Sequence, residues 1–179
     1  KKTLNVGKDV KDINKAFDQI AASLVNISKV TPVTTKELNE IAAVGGQLGV
    51  TAKDIVAFTK TVQKLTVATN LGAEQAALAM ARLQEITGLT TRDLDNLGAS
   101  LVDLGNNFAA TESEIVNASL QIATATAQIA GNLNNAAVDA LAFSTALRAI
   151  GQPAQAGATA VVRLMTEASQ AVELGGEKL

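Results

Sequence analysis

The sequence predicts an all-α fold: an irregular array of about eight short helices joined by capped turns, with no sheet. Three observations lead there. Apolar residues recur at steps of three and four, the spacing of one helix face, as in Leu94, Leu97, Leu101, Leu104 and Phe108. Between such runs stand Thr-x-x-Asp/Glu tetrads flanked by apolar residues, the pattern of a capping box with its hydrophobic staple. Alternation of β-branched residues, which a half-buried strand requires, is never sustained.

Residues 1–31 read as an N-terminal amphipathic helix. Val6, Val10, Ile13, Phe17, Ile20, Leu24 and Ile27 are separated by alternating steps of 4 and 3, an a/d heptad seam. Lys8, Asp9, Lys11, Asp12, Lys15 and Asp18 fall on the other faces. The spacing suits a self-association seam in a short coiled coil, and it also suits a helix lying on its own domain. Thr31-Pro32 ends the segment, because the residue before proline is pushed out of the α region.

Residues 32–179 read as a helical core domain. Helix starts are expected at Thr34 (box with Glu37, staple Val33/Leu38) and at Thr51 (Asp54, Val50/Ile55). Further starts are expected at Gly72, with Gln75 as a weak box, at Thr90 (Asp93, Leu89/Leu94) and at Thr111 (Glu114, Ala110/Ile115). Asn134 follows with the staple Leu133/Val138, then Gln152 with Pro153 at the favoured first helical position. Gly49, Gly88, Gly131, Gly151 and Gly175 are placed to close helices in a left-handed conformation. Ile55, Phe58, Val62 and Leu65 form one buried face, and Ala76, Ala79, Met80, Leu83 and Ile86 the next. Ile115, Ala118, Ile122, Ala125 and Ile129 alternate large with small on a third. Gly45-Gly46 and Gly98 sit inside helical patterns, where each glycine costs about 1 kcal/mol relative to alanine. Close helix approach would account for them, as would a hinge. The intervals between starts drift and no signature residue recurs at a fixed offset, so the array is not a solenoid.

Composition narrows the chemistry. Hydrophobic residues make up 47% of the 179, but aromatic residues only 2%, so the core must be built from Ala, Leu, Ile and Val. The net charge of −2, with no basic run and no aromatic platform, gives no basis for specific nucleic-acid binding. Cysteine and histidine are both absent, which removes disulfides, thiolate chemistry, Ser-His-Asp triads and the common zinc sites. No cofactor is expected. The chain opens on Lys1 with no signal-peptide pattern, so it reads as a fragment or processed piece. The uncharged stretch from Ile115 to Val138 carries Asn, Gln, Thr and Ser throughout, too polar to span a bilayer.

No constellation reads as catalytic. Glu114 is explained by its capping box, and Glu112 in the first turn suits the helix dipole. Asp93, Asp95 and Asp103 read as a solvated helix face. The glycine-rich run from Val44 to Val50 lacks the Lys-Ser/Thr of a phosphate loop and follows no strand. Asn106-Asn107, Asn132 and Asn134-Asn135 read as turn residues.

The run LGASLVDLGNNFAATESEI, Leu97 to Ile115, resembles the core of phage tail tape measure proteins of the lactococcal TP901 type. The likeness extends upstream through Leu38–Phe58 and the segment from Lys64, and downstream over Gln128–Met165, covering roughly residues 37 to 170. LGNNFAATESEI is its most specific part. The resemblance implies a structural virion protein, not an enzyme, lying in the lumen of the tail tube or at its tip. Such a protein determines tail length during assembly and takes part in genome ejection. The partners it implies are further copies of the chain as a parallel trimer or hexamer, together with tail-tube and tip or baseplate proteins. It implies long coiled coils, which the seam at Val6 to Ile27 would suit. An extended helix rises about 1.5 Å per residue and can serve as a ruler; a many-helix segment is instead a local module. A second reading, drawn from the Ala/Gly-rich uncharged helices, is a membrane-active domain that enters the host membrane during DNA delivery. A third, a peptidoglycan-cleaving enzyme, lacks the histidine a metallopeptidase needs.

Overall fold

The structure, a computed structural model, describes residues 13–107, 111–130, 142, 145, 146 and 153–176. It is all-α. The helices are α1 (Ile13–Ser28), α2 (Thr35–Gln47), α3 (Ile55–Ala68), α4 (Ala73–Thr87), α5 (Thr91–Asn107), α6 (Glu112–Ala130) and α7 (Ala154–Gly176). No strand occurs among the described residues. The chain divides into two compact units, one of Lys1–Glu85 with Leu89–Ala99 and the other of Ile86–Gly88 with Ser100–Leu179.

In the first unit α3 is central. Its apolar stripe Ile55, Phe58, Val62 and Leu65 is buried as the spacing predicts. So are Thr59, Thr61 and Gln63, which lie off that stripe. Burial of several faces requires the polar groups to find partners: Thr59 Oγ1 donates to the Ile55 carbonyl at 2.7 Å, and Thr61 Oγ1 donates to Asp95 at 3.1 Å. Helices α1 and α2 pack on α3 and on each other. α2 comes close because Gly45 faces the Phe58 ring: a Cβ at Gly45 would lie 2.7 Å from one ring carbon. Close approach is thus the reason for Gly45. Gly98 differs: it is buried, yet a Cβ there would meet nothing nearer than 3.9 Å.

Helix boundaries follow local chemistry. At Thr34 the capping box is complete: Thr34 N–H donates to Glu37 at 2.8 Å, and Glu37 N–H donates back to Thr34 Oγ1 at 3.2 Å. The same reciprocal pair forms at Thr90/Asp93 (3.1 and 3.4 Å) and at Thr111/Glu114 (3.0 and 3.2 Å). The staple residues Val33, Leu38, Val50, Ile55, Leu94 and Ile115 are all buried. α2 ends in a Schellman motif: Gly49 has φ +97°, Val50 N–H donates to Gly45 O at 2.9 Å and Gly49 N–H donates to Gly46 O at 3.4 Å. Gly88 closes α4 with φ +66°.

Three expected boundaries move. α3 starts at Ile55, not just after Thr51: the Thr51 hydroxyl donates to the Asp54 carboxylate at 2.7 Å, as the other box threonines do to theirs, but the reciprocal backbone bonds of a capping box do not form there. Residues 52–54 form a turn, with both Asp54 and Ile55 N–H groups donating to the Thr51 carbonyl. Pro153 precedes α7 and does not open it; its carbonyl accepts the Gly157 N–H at 2.9 Å, as a helix-flanking residue does. Gly175 lies inside α7, which runs on to Gly176, so it closes nothing. Val6, Val10, Phe108, Ala110, Gly131, Leu133, Asn134, Val138, Gly151 and Gln152 lie outside the described residues, as do the side chains of Ala125 and Ile129.

In the second unit α6 packs on α7. Ile115, Val116, Ala118, Ile122 and Ala123 of α6 are buried, and Ser119 among them donates to the Ile115 carbonyl at 2.6 Å. Gly157 and Ala158 are the buried residues among those of α7 whose burial is described. Beyond them Leu164 is 67% exposed.

Candidate functional site

The heptad positions of α1 do not share one environment. Ile20 and Leu24 are buried, in a helix that packs on α2 and α3 of its own chain. Phe17 and Ile27 are half-buried, and Ile13 is 53% exposed. Among the described residues the face is therefore buried at its middle, half-covered at Phe17 and Ile27, and open at Ile13.

Chemistry-bearing side chains gather instead between α3 and the first turns of α5. Lys64 Nζ sits 2.8 Å and 2.9 Å from the two carboxylate oxygens of Asp95, and Thr61 adds its hydroxyl to the same carboxylate. Asp95 is therefore not simply a solvated residue on a helix face. It ties α5 to α3. The Lys64 ammonium, helped by Thr61 and by the more distant charge of Lys60, holds the Asp95 carboxyl below its usual range. Both partners are about half exposed, at 53% and 49%, so the pair is worth no more than roughly 0.2–1 kcal/mol. Glu37 is likewise held low, by the Thr34 hydroxyl first and the Thr34 amide second.

Around this pair opens a groove of about 490 Å³, lined by Asp54, Ala57, Lys60, Thr61, Lys64, Thr91, Arg92, Asp95 and Asn96. Sequence spacing could not place these residues together: Lys64 and Asp95 are 31 positions apart on helices with no shared local signal. A second hollow of about 290 Å³ lies where α2 ends, bounded by Leu48, Gly49, Val50, Thr51, Asp54, Ala81, Gln84 and Glu85. In each hollow a threonine hydroxyl donates to a carboxylate, Thr61 to Asp95 and Thr51 to Asp54. Among the described residues no group of carboxylates is arranged to hold a metal ion, and no helix is long and apolar enough to cross a membrane.

The described residues are thus all-α, with seven helices of which three are opened by complete capping boxes. The family profile described as phage-related minor tail protein matches residues 22–178, and the chain belongs to that family. Comparison with curated proteins and with solved structures gave no match.

Proposed function

We propose that this chain is a folded module of a tail tape measure protein, acting through protein contacts during tail assembly and length determination and again at genome ejection. The observation that carries this reading is the family match over residues 22–178, sharpened by the LGNNFAATESEI run across the α5–α6 junction. Several short docked helices suit a local module better than an extended ruler: α7, 23 residues long, would reach only about 35 Å at 1.5 Å per residue. The module sits in the tail lumen or at its tip, against tube and tip proteins. It joins further copies of itself from the exposed start of α1 at Ile13, since the seam residues Ile20 and Leu24 are already buried within the chain.

In-frame deletion of the α2–α6 region from the parent gene tests this. Shortened or aborted tails are expected in electron micrographs. Tails of normal length and number would refute it. Dye release from liposomes by the purified protein would favour the membrane-active alternative.

A further inference from the structure

The α3/α5 groove carries more positive charge than its own carboxylates use. Lys64 is spent on Asp95. Lys60 reaches Asp95 only at Coulombic range, and neither the Lys60 nor the Arg92 side chain has a hydrogen bond or ion pair among the described residues. Both are exposed and both line the same groove. Set against the net charge of −2 of the whole chain, this is a local cationic site on an acidic molecule.

We propose that this groove docks an acidic segment of a protein partner, with a carboxylate side chain seated between Lys60 and Arg92. Charge complementarity argues for the sign of the ligand. The interleaved Asp54 and Asp95 argue for its kind: a phosphate backbone, carrying a charge at every step, would be repelled by them. Single carboxylates can thread between them. Thr61 and Asp95 already model the contact in miniature, since a carboxylate here is held by one ammonium and one hydroxyl. Under the tail-module reading this names the chemistry of one partner contact, but the test below reads the groove alone and leaves that reading untouched if it fails.

The probe is a fluorescein-labelled peptide with single glutamates spaced by Gly-Ser pairs, titrated with the whole protein at low salt and followed by fluorescence anisotropy. Saturable binding is expected, weakened about tenfold by the double variant Lys60→Gln/Arg92→Gln through loss of two ion pairs. Lys29→Gln/Lys36→Gln, which removes the same net charge elsewhere, should stay within about twofold of the parent because screening confines the effect to nearby charges. Ala57→Glu keeps every cation but supplies a competing carboxylate inside the groove, and should also weaken binding. Absence of saturable binding, equal loss in both double variants, or unaltered binding by Ala57→Glu would overturn the proposal. So would tighter binding of a DNA duplex that is lost in the same groove variant, which would assign the site to phosphate.

Discussion

Alanine at Gly45 would place a methyl group 2.7 Å and 2.9 Å from two ring carbons of Phe58 and 3.1 Å from Ile55 Cδ1. Phe58 and Ile55 are fully buried, so the ring cannot swing into solvent to make room. Overpacking of this kind costs about 1–3 kcal/mol, against a gain of about 1 kcal/mol when glycine becomes alanine in a helix. Gly98 supplies the control. Its nearest neighbours, Met80 Cε and Thr61 Cγ2, would stand 3.9 Å from the new methyl, an ordinary contact. The propensity gain is common to both substitutions and cancels in their difference. Gly98→Ala should therefore exceed Gly45→Ala in stability by about 1–3 kcal/mol, and should itself lie above the parent. Far-UV circular dichroism in urea is the assay, since the chain has neither Trp nor Tyr. In a chain of this size each kcal/mol should also shift the thermal midpoint by about 2–4 °C. Phe58→Leu placed in the Gly45→Ala background should recover part of the loss, a favourable coupling between the two sites. Equal stabilities for the two alanine variants, or no coupling to Phe58, would refute the close approach of α2 to α3.

Other outcomes follow from the caps, the turns and the ion pair. Thr34→Ala, which removes the hydroxyl accepting the Glu37 N–H, should cost about 1 kcal/mol in urea unfolding, and Thr34→Asn much less. Gly88→Ala should cost about 1–2 kcal/mol for backbone reasons alone, because φ is +66° and no atom lies within 4 Å of the added carbon. Acid should destabilise the first unit: Glu37 and Asp95 titrate below their ordinary values of 4.5 and 3.8 when folded, so the unfolded chain binds more protons there. Their contribution is complete above about pH 4.5 and is lost as pH falls through the lower folded values. Asp95→Asn should remove part of that acid slope. Its cost at neutral pH, roughly 0.2–1 kcal/mol, should shrink in high salt.

What the sequence discloses is what is encoded within one turn of helix. The Thr-x-x-Asp/Glu boxes at Thr34, Thr90 and Thr111 and the left-handed glycines Gly49 and Gly88 are four-residue devices, so their outcome depends on little else. Thr51 shows the limit: the same tetrad forms its side-chain contact without the reciprocal backbone bonds, and the helix begins only after Asp54. Apolar stripes foretell which face is buried, but not how many faces are. Thr59, Thr61 and Gln63 are enclosed because α3 is packed from more than one side, and no period in the sequence says so. The Gly45–Phe58 contact and the Lys64–Asp95 tie depend on which helices become neighbours, information that sits in the tertiary arrangement. That is why Gly45 and Gly98 look alike in the sequence and differ in the fold.

The boxes at Thr34, Thr90 and Thr111 have one more consequence. Because each start is completed by residues lying within its own tetrad, a stretch running from one box to the next carries its own beginning and borrows nothing from what precedes it. A gene duplication or loss spanning such a stretch would join two intact boundaries and leave no ragged helix at the seam. A chain written in this way can change its length in whole helices and keep its helix starts, though the packing between neighbours must be made anew.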